Sequence, residues 1–293
     1  MTTPRLNHVQ CLSPGGLHRM AYWEWGDPLN PKVLICVHGL TRQGRDFDVL
    51  AQAMSGEYRV VCPDVVGRGE SDWLAQPSGY SVPMYVADMV TLLARLNAST
   101  VDWVGTSMGG LIGLGVAALS CKPTANNPIR RFVINDVGPT LEASAIARIG
   151  AYLGLPLHWN SVQEAADYMR GIAKGFGPHT DEQWLALSKP MVRAEGGGFR
   201  LHYDPRIGVP FRSVTPEMAT FGEAMLWKAY DAVTAPTLLL RGAESDLLTP
   251  ATAQAMTQRG PKAQLIEFAG VGHAPTLIAS DQVIAVREFL LRP

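Results

Sequence analysis

Val101-Asp102-Trp103-Val104-Gly105-Thr106-Ser107-Met108-Gly109-Gly110-Leu111-Ile112-Gly113-Leu114-Gly115 is the stretch that decides the fold. An apolar run ends at Gly105, and a helix-like segment starts after Gly109. Between them, G-x-S-x-G sets Ser107 on a sharp strand-to-helix turn. Side chains at Gly105 and Gly109 would clash with neighbouring backbone in such a turn. Gly110, Gly113 and Gly115 continue a small-residue face that lets the helix lie close to a sheet. Each helical glycine costs about 1 kcal/mol relative to alanine, so their density implies a steric demand. A serine presented on this turn is a candidate nucleophile.

Outward from this turn, apolar runs bounded by turn residues predict strands at 20–25, 32–37, 58–62, 131–134, 237–240 and 264–268. Unbroken runs suit strands buried on both faces, the usual state of parallel sheets. Between them, 82–96 carries a helical stripe with Ser81 as N-cap and Pro83 in the first turn. Val283, Ile284, Val286, Phe289 and Leu290 mark a last helix capped by Ser280 or Asp281. Alternating strand and helix predict an α/β fold with a mostly parallel sheet flanked by helices.

Residues 140–231 break the alternation. No apolar strand stands out there. Ser161-Val162-Gln163-Glu164 reads as a capping box opening a helix to Lys174, and Thr180 to Gln183 as another. Gly196-Gly197-Gly198 marks a turn or hinge. The expected organisation is a core of 1–139 and 232–293, with a mainly helical cap (lid) at 140–231. Trp159, Tyr203 and Trp227 are its candidate pocket residues.

A serine hydroxyl needs a base within hydrogen-bond reach, and the base needs an orienting acid. His273, in Gly270-Val271-Gly272-His273, follows the last strand and is the only histidine beyond the insertion. It is the expected base. Two acids follow strands, Asp136 and Asp246. Asp246 is the expected partner, and Asp136 is expected to bond loop amides. The oxyanion of an acyl intermediate needs preorganised N–H donors. Met108, just after the serine at a helix N-terminus, and Leu40, in the loop opened by His38-Gly39, are the expected donors. His38 itself is expected to be structural.

The order His38-Gly39, Asp64-Val65-Val66-Gly67-Arg68-Gly69-Glu70-Ser71, Gly105 to Gly110, Asp246 and Gly272-His273 resembles the α/β-hydrolase superfamily. The resemblance implies the α/β-hydrolase fold, a structural role for the 64–71 segment and a lid whose inner face shapes the pocket. Haloalkane dehalogenases and epoxide hydrolases of this fold place an aspartate, and dienelactone-type enzymes a cysteine, where Ser107 stands. His38-Gly39-Leu40-Thr41 and His273-Ala274 depart from the pattern of C–C bond hydrolases.

Composition narrows the partners. Lysines and arginines number 25 against 26 acids, a net charge of −1 with no basic run, so nucleic-acid binding is not expected. Residues 1–10 lack an apolar h-region, so no signal peptide is expected. No apolar stretch is long enough to span a bilayer. Cys11, Cys36, Cys62 and Cys121 lie far apart, as suits reduced thiols in the cytoplasm. No metal or nucleotide motif occurs, so no cofactor is expected. The expected activity is hydrolysis of a small to medium carboxylic ester or lactone through a Ser107 acyl-enzyme. C–C hydrolysis and cofactor-free perhydrolase or haloperoxidase chemistry are alternatives. A small-molecule receptor on the same fold is the alternative of another class.

Overall fold

In chain order the strands are β1 (Arg5–Ser13), β2 (Gly16–Trp25), β3 (Lys32–Val37), β4 (Arg59–Pro63), β5 (Thr100–Thr106), β6 (Arg131–Asn135), β7 (His158–Trp159), β8 (Val192–Glu195), β9 (Gly198–Leu201), β10 (Thr237–Gly242) and β11 (Gln264–Phe268). The α-helices are α1 (Asp48–Met54), α2 (Val82–Leu96), α3 (Met108–Ala118), α4 (Ala143–Tyr152), α5 (Val162–Ile172), α6 (Asp181–Ser188), α7 (Pro216–Asp231), α8 (Pro250–Met256) and α9 (Ser280–Leu291). The structure is a computed structural model and describes residues 3–119 and 128–292. Cys121 lies outside the described residues.

Eight strands form one sheet in the order β1-β2-β4-β3-β5-β6-β10-β11. The β1–β2 and β2–β4 pairs are antiparallel, and the other pairs are parallel. Strand β3 shows why its sequence is apolar from Val33 onward. Val33, Ile35 and Val37 pack in one layer with Met89 of α2 and Ile112 of α3. Leu34 and Cys36 pack in the other with Leu50 of α1 and Val286 of α9. Both faces are buried from Val33 to Val37, which leaves apolar side chains at each of those positions. Strand β1 is an unpredicted element. It lies at the sheet edge with Leu6 and Leu12 exposed and Val9 and Cys11 buried, a half-wet alternation that left no apolar run.

The expected cap segment holds more than helices. A three-stranded antiparallel sheet, β7-β9-β8, lies within it. These strands have two to four residues, too short to leave an apolar signature. Gly196 and Gly197, with φ of 62° and 82°, make the β8–β9 turn. The Thr180–Gln183 capping box opens α6 as expected, with both reciprocal bonds made. At α5 only the Ser161 half forms, and Glu164 turns to the Asn160 amide instead. Helix α5 stops at Ile172, short of Lys174. Residues 202–204 are stitched to the loop after β4. Gly69 N donates to His202 O, Asp204 N donates to Gly67 O, and the Tyr80 hydroxyl donates to the buried Asp204 carboxylate. Helix α7 packs beside α3, and the Tyr230 hydroxyl donates to Met256 O. Among the described residues, no helix is long and apolar enough to cross a membrane.

The β5–α3 turn is closed by glycines. A Cβ on Gly105 would stand 2.3 Å from Gly109 O, and one on Gly109 would stand 1.9 Å from Val37 O. Both obstacles are backbone and cannot swing aside. Gly109→Ala is therefore expected to lower stability by about 2 kcal/mol or more, the scale of forced overpacking. Gly150→Ala is the control, because a Cβ there meets nothing within 4 Å on α4. Urea unfolding midpoints of the two variants check the contrast.

Candidate active site

Ser107 holds φ 52° and ψ −118°, a backbone conformation that L residues rarely adopt. Its amide donates to Asn135 O at 2.9 Å, pinning the turn to the end of β6. The Ser107 Oγ lies 3.0 Å from His273 Nε2, and His273 Nδ1 lies 2.7 Å from Asp136 Oδ2. The nucleophile and base expected from the sequence are brought together.

The expected acid is not. Asp246 forms a bidentate ion pair with Arg148, at 2.8 and 2.9 Å, and its side chain is about half exposed. Asp136 takes its place beside His273, fully buried. Gly242 N donates to Asp136 Oδ1 at 3.0 Å, and the Ser245 hydroxyl donates to Oδ2 at 2.7 Å. The loop after β10 thus sends Ser245 inward and Asp246 outward. Asp136 stands one residue beyond β6, whereas Asp246 stands four beyond β10. A residue at a strand end has its position fixed by the sheet, and that was the signal available in Asn135-Asp136.

Other supports carried no motif. Asn135 Nδ2 donates to Pro275 O and Thr106 Oγ1, tying the histidine loop to the serine strand. On the far side, Gly272 N donates to Gly175 O at 2.7 Å. His179 Nδ1 donates to Gly177 O, which leaves Nε2 to accept from the Thr276 hydroxyl at 2.8 Å.

Met108 is the first residue of α3, so its amide lies at a helix N-terminus. Leu40 borders the same pocket as Ser107. The fully buried Arg68 holds both neighbourhoods: its Nε donates to Leu40 O at 2.8 Å, and its Nη2 stands 3.8 Å from Met108 Sδ. Nη1 donates to Val66 O and the Tyr85 hydroxyl. His38 is structural in its contacts. Its Nδ1 donates to Gly39 O, and its Nε2 accepts from Val65 N. Burial pushes its pKa down to about 3.

The pocket over Ser107 is walled by Leu157, Met169, Ile172, Leu187 and Tyr203 from the intervening segment. Tyr203 is where the sequence placed it. Trp159 is not on this wall: it packs inside the segment's own cluster with Ala165, Met169 and Met191. Trp227 is not there either. Its indole N–H donates to Thr140 Oγ1, and Arg259 stacks over its ring. Both rings are taken up by packing and polar partners away from the serine, the Trp159 ring against its own cluster and the Trp227 N–H on Thr140.

The alpha/beta hydrolase family model matches residues 34–286. The chain is 54% identical to the 3-hydroxybutyrate-oligomer hydrolase of Cupriavidus necator over 98% of both chains. It is 26% identical to the pimeloyl-[acyl-carrier protein] methyl ester esterase of Stenotrophomonas maltophilia, over 87% of this chain and 91% of that one. A solved alpha/beta hydrolase from Novosphingobium aromaticivorans superposes with a TM-score of 0.84 at 32% identity, over 99% of both chains. The chain belongs to the alpha/beta hydrolase family.

Two outcomes follow from this geometry. Asp136→Asn is expected to lower kcat far more than Asp246→Asn, since an asparagine there favours the wrong histidine tautomer; steady-state hydrolysis of a p-nitrophenyl ester ranks them. The second concerns pH. His38 is neutral when folded but takes a proton near pH 6.5 when unfolded, so the unfolded chain holds more protons between about pH 6.5 and 3. Its stabilising effect is intact above 6.5 and is lost as pH falls through that window. His38→Gln is expected to flatten the fall by about 1.4 kcal/mol per pH unit, one proton's worth. Urea unfolding at pH 7, 6 and 5 measures the slopes.

Proposed function

We propose that this chain hydrolyses the ester bonds of short 3-hydroxybutyrate oligomers by way of a Ser107 acyl-enzyme. It is a carboxylic ester hydrolase. The observation that carries the mechanism is the run of hydrogen bonds from Ser107 through His273 to the buried Asp136, opening on a largely apolar pocket. The oligomer rests on the Cupriavidus necator relative at 54% identity.

In this reading His273 Nε2 takes the Ser107 proton as Oγ attacks the ester carbonyl carbon. Asp136 accepts the Nδ1–H, fixes the tautomer and stabilises the imidazolium. The carbonyl oxygen becomes an oxyanion held by the Leu40 and Met108 amides. As the tetrahedral intermediate collapses, the C–O bond breaks and the leaving alkoxide takes the proton from Nε2. Water repeats the sequence: His273 removes its proton, the hydroxide adds to the acyl carbon, and Ser107 recovers its proton as the acid leaves. Arg68 is a positioning residue that holds the Leu40 carbonyl and the Met108 side chain from behind. Residues 140–231 act as the cap over this site. A cytoplasmic setting fits the free thiols of Cys11, Cys36 and Cys62.

Ser107→Ala is expected to abolish release of 3-hydroxybutyrate from its linear trimer while the thermal melting curve stays intact. With wild type, kcat/KM over p-nitrophenyl acetate, butyrate, octanoate and palmitate should favour the short chains. Preference for palmitate would contradict a closed cap and a small acyl site.

A further inference from the structure

The pocket wall carries few formal charges, and they are unequal. Apart from His273, the charged residues facing it are Arg42, Asp46 and Arg148. Arg42 is already spent. Its Nε and Nη2 hold both oxygens of Asp46 at 2.7 and 2.6 Å, and Nη2 also donates to Leu187 O. Its guanidinium lies over the Phe176 ring. The pair is neutral and largely enclosed.

Arg148 is different. It projects from α4, and its partner Asp246 does not belong to the pocket wall. The two side chains are 44% and 48% exposed, so water screens their attraction. Tyr152, one turn on along α4, lines the same pocket. Among the described residues of the wall, Arg148 is thus the cation whose counter-ion sits outside the cavity and can be exchanged.

We propose that Arg148, with Tyr152 beside it, receives the free carboxylate at the acid end of the substrate and selects anionic oligomers over neutral esters. The inference rests on the oligomer reading above. A linear hydroxyacid oligomer has methyl and methylene groups that suit Ile149, Leu157 and Met169, but it ends in a carboxylate that an apolar wall alone would repel. A guanidinium meets a carboxylate through two parallel N–H donors, the same fork that now grips Asp246. Substrate and Asp246 compete for that fork. Asp246 keeps Arg148 extended and solvated until the substrate carboxylate replaces it.

The test compares the 3-hydroxybutyrate dimer as its free acid with its methyl ester, following cleavage of the internal ester by chromatography. In wild type the acid is expected to exceed the methyl ester in kcat/KM by about tenfold or more, the effect of a charge-assisted bond. Arg148→Gln should bring that ratio close to one, and Arg148→Lys should retain part of it. Asp246→Asn should raise the ratio by about two- to threefold by removing the competitor, mostly through KM. Melting curves establish that each variant is folded, and the lysine variant carries the test should the glutamine variant unfold. Equal cleavage of acid and methyl ester by wild type would overturn the carboxylate site and leave the oligomer reading standing. So would a ratio that survives Arg148→Gln. Failure to cleave either dimer, with p-nitrophenyl butyrate still hydrolysed, would overturn the oligomer reading and this inference with it.

Discussion

Ser107 turns the chain from β5 into α3 within a single residue, and the left-handed backbone it adopts there constrains everything around it. The turn can close only if the residues two before and two after the serine have no side chains, which Gly105 and Gly109 satisfy. Once closed, it brings α3 so near the sheet that Gly113 lies against Trp103 and Phe132, and Gly110 against Val137. The same geometry aims the hydroxyl out of the sheet and leaves the Met108 amide at the helix start. An unfavourable local conformation is thus held in place by close packing on three sides, and the reactive group inherits its placement from that packing.

The histidine has no comparable backbone device. His273 belongs to a loop, and a loop must be held by contacts. Asn135 holds it from the sheet, Gly175 and His179 from the segment between β6 and β10, and Asp136 from beneath. Asp136 is in turn fixed by Gly242 and Ser245 from the loop after β10. Desolvation makes this economical. A buried carboxylate with three donors has its lone pairs occupied, so the one facing Nδ1 has a single orientation open to it.

What the sequence disclosed follows from how far each feature depends on distant residues. Strands buried on both faces, such as β3 and β10, announce themselves as apolar runs, and α2 as a helical stripe. The serine turn was legible because its steric demand is local. The histidine was legible from its place after the last strand. The choice between Asp136 and Asp246 was not local: both follow parallel strands, and only the path of the loop after β10 decides which carboxyl reaches inward. Trp159 and Trp227 failed as wall residues for a related reason, since composition says that a ring is buried but not which cluster buries it. Strand β1 and the short β7, β8 and β9 owe their existence to partners rather than to pattern.

The hydrogen bond from Gly272 to Gly175 joins the loop that bears His273 to the segment that walls the pocket. His179 and Thr276 form a second tie across the same seam. The position of that segment and the placement of His273 are therefore tied by the same contacts. A displacement that parted Gly175 from Gly272 would also remove a restraint on the His273 loop.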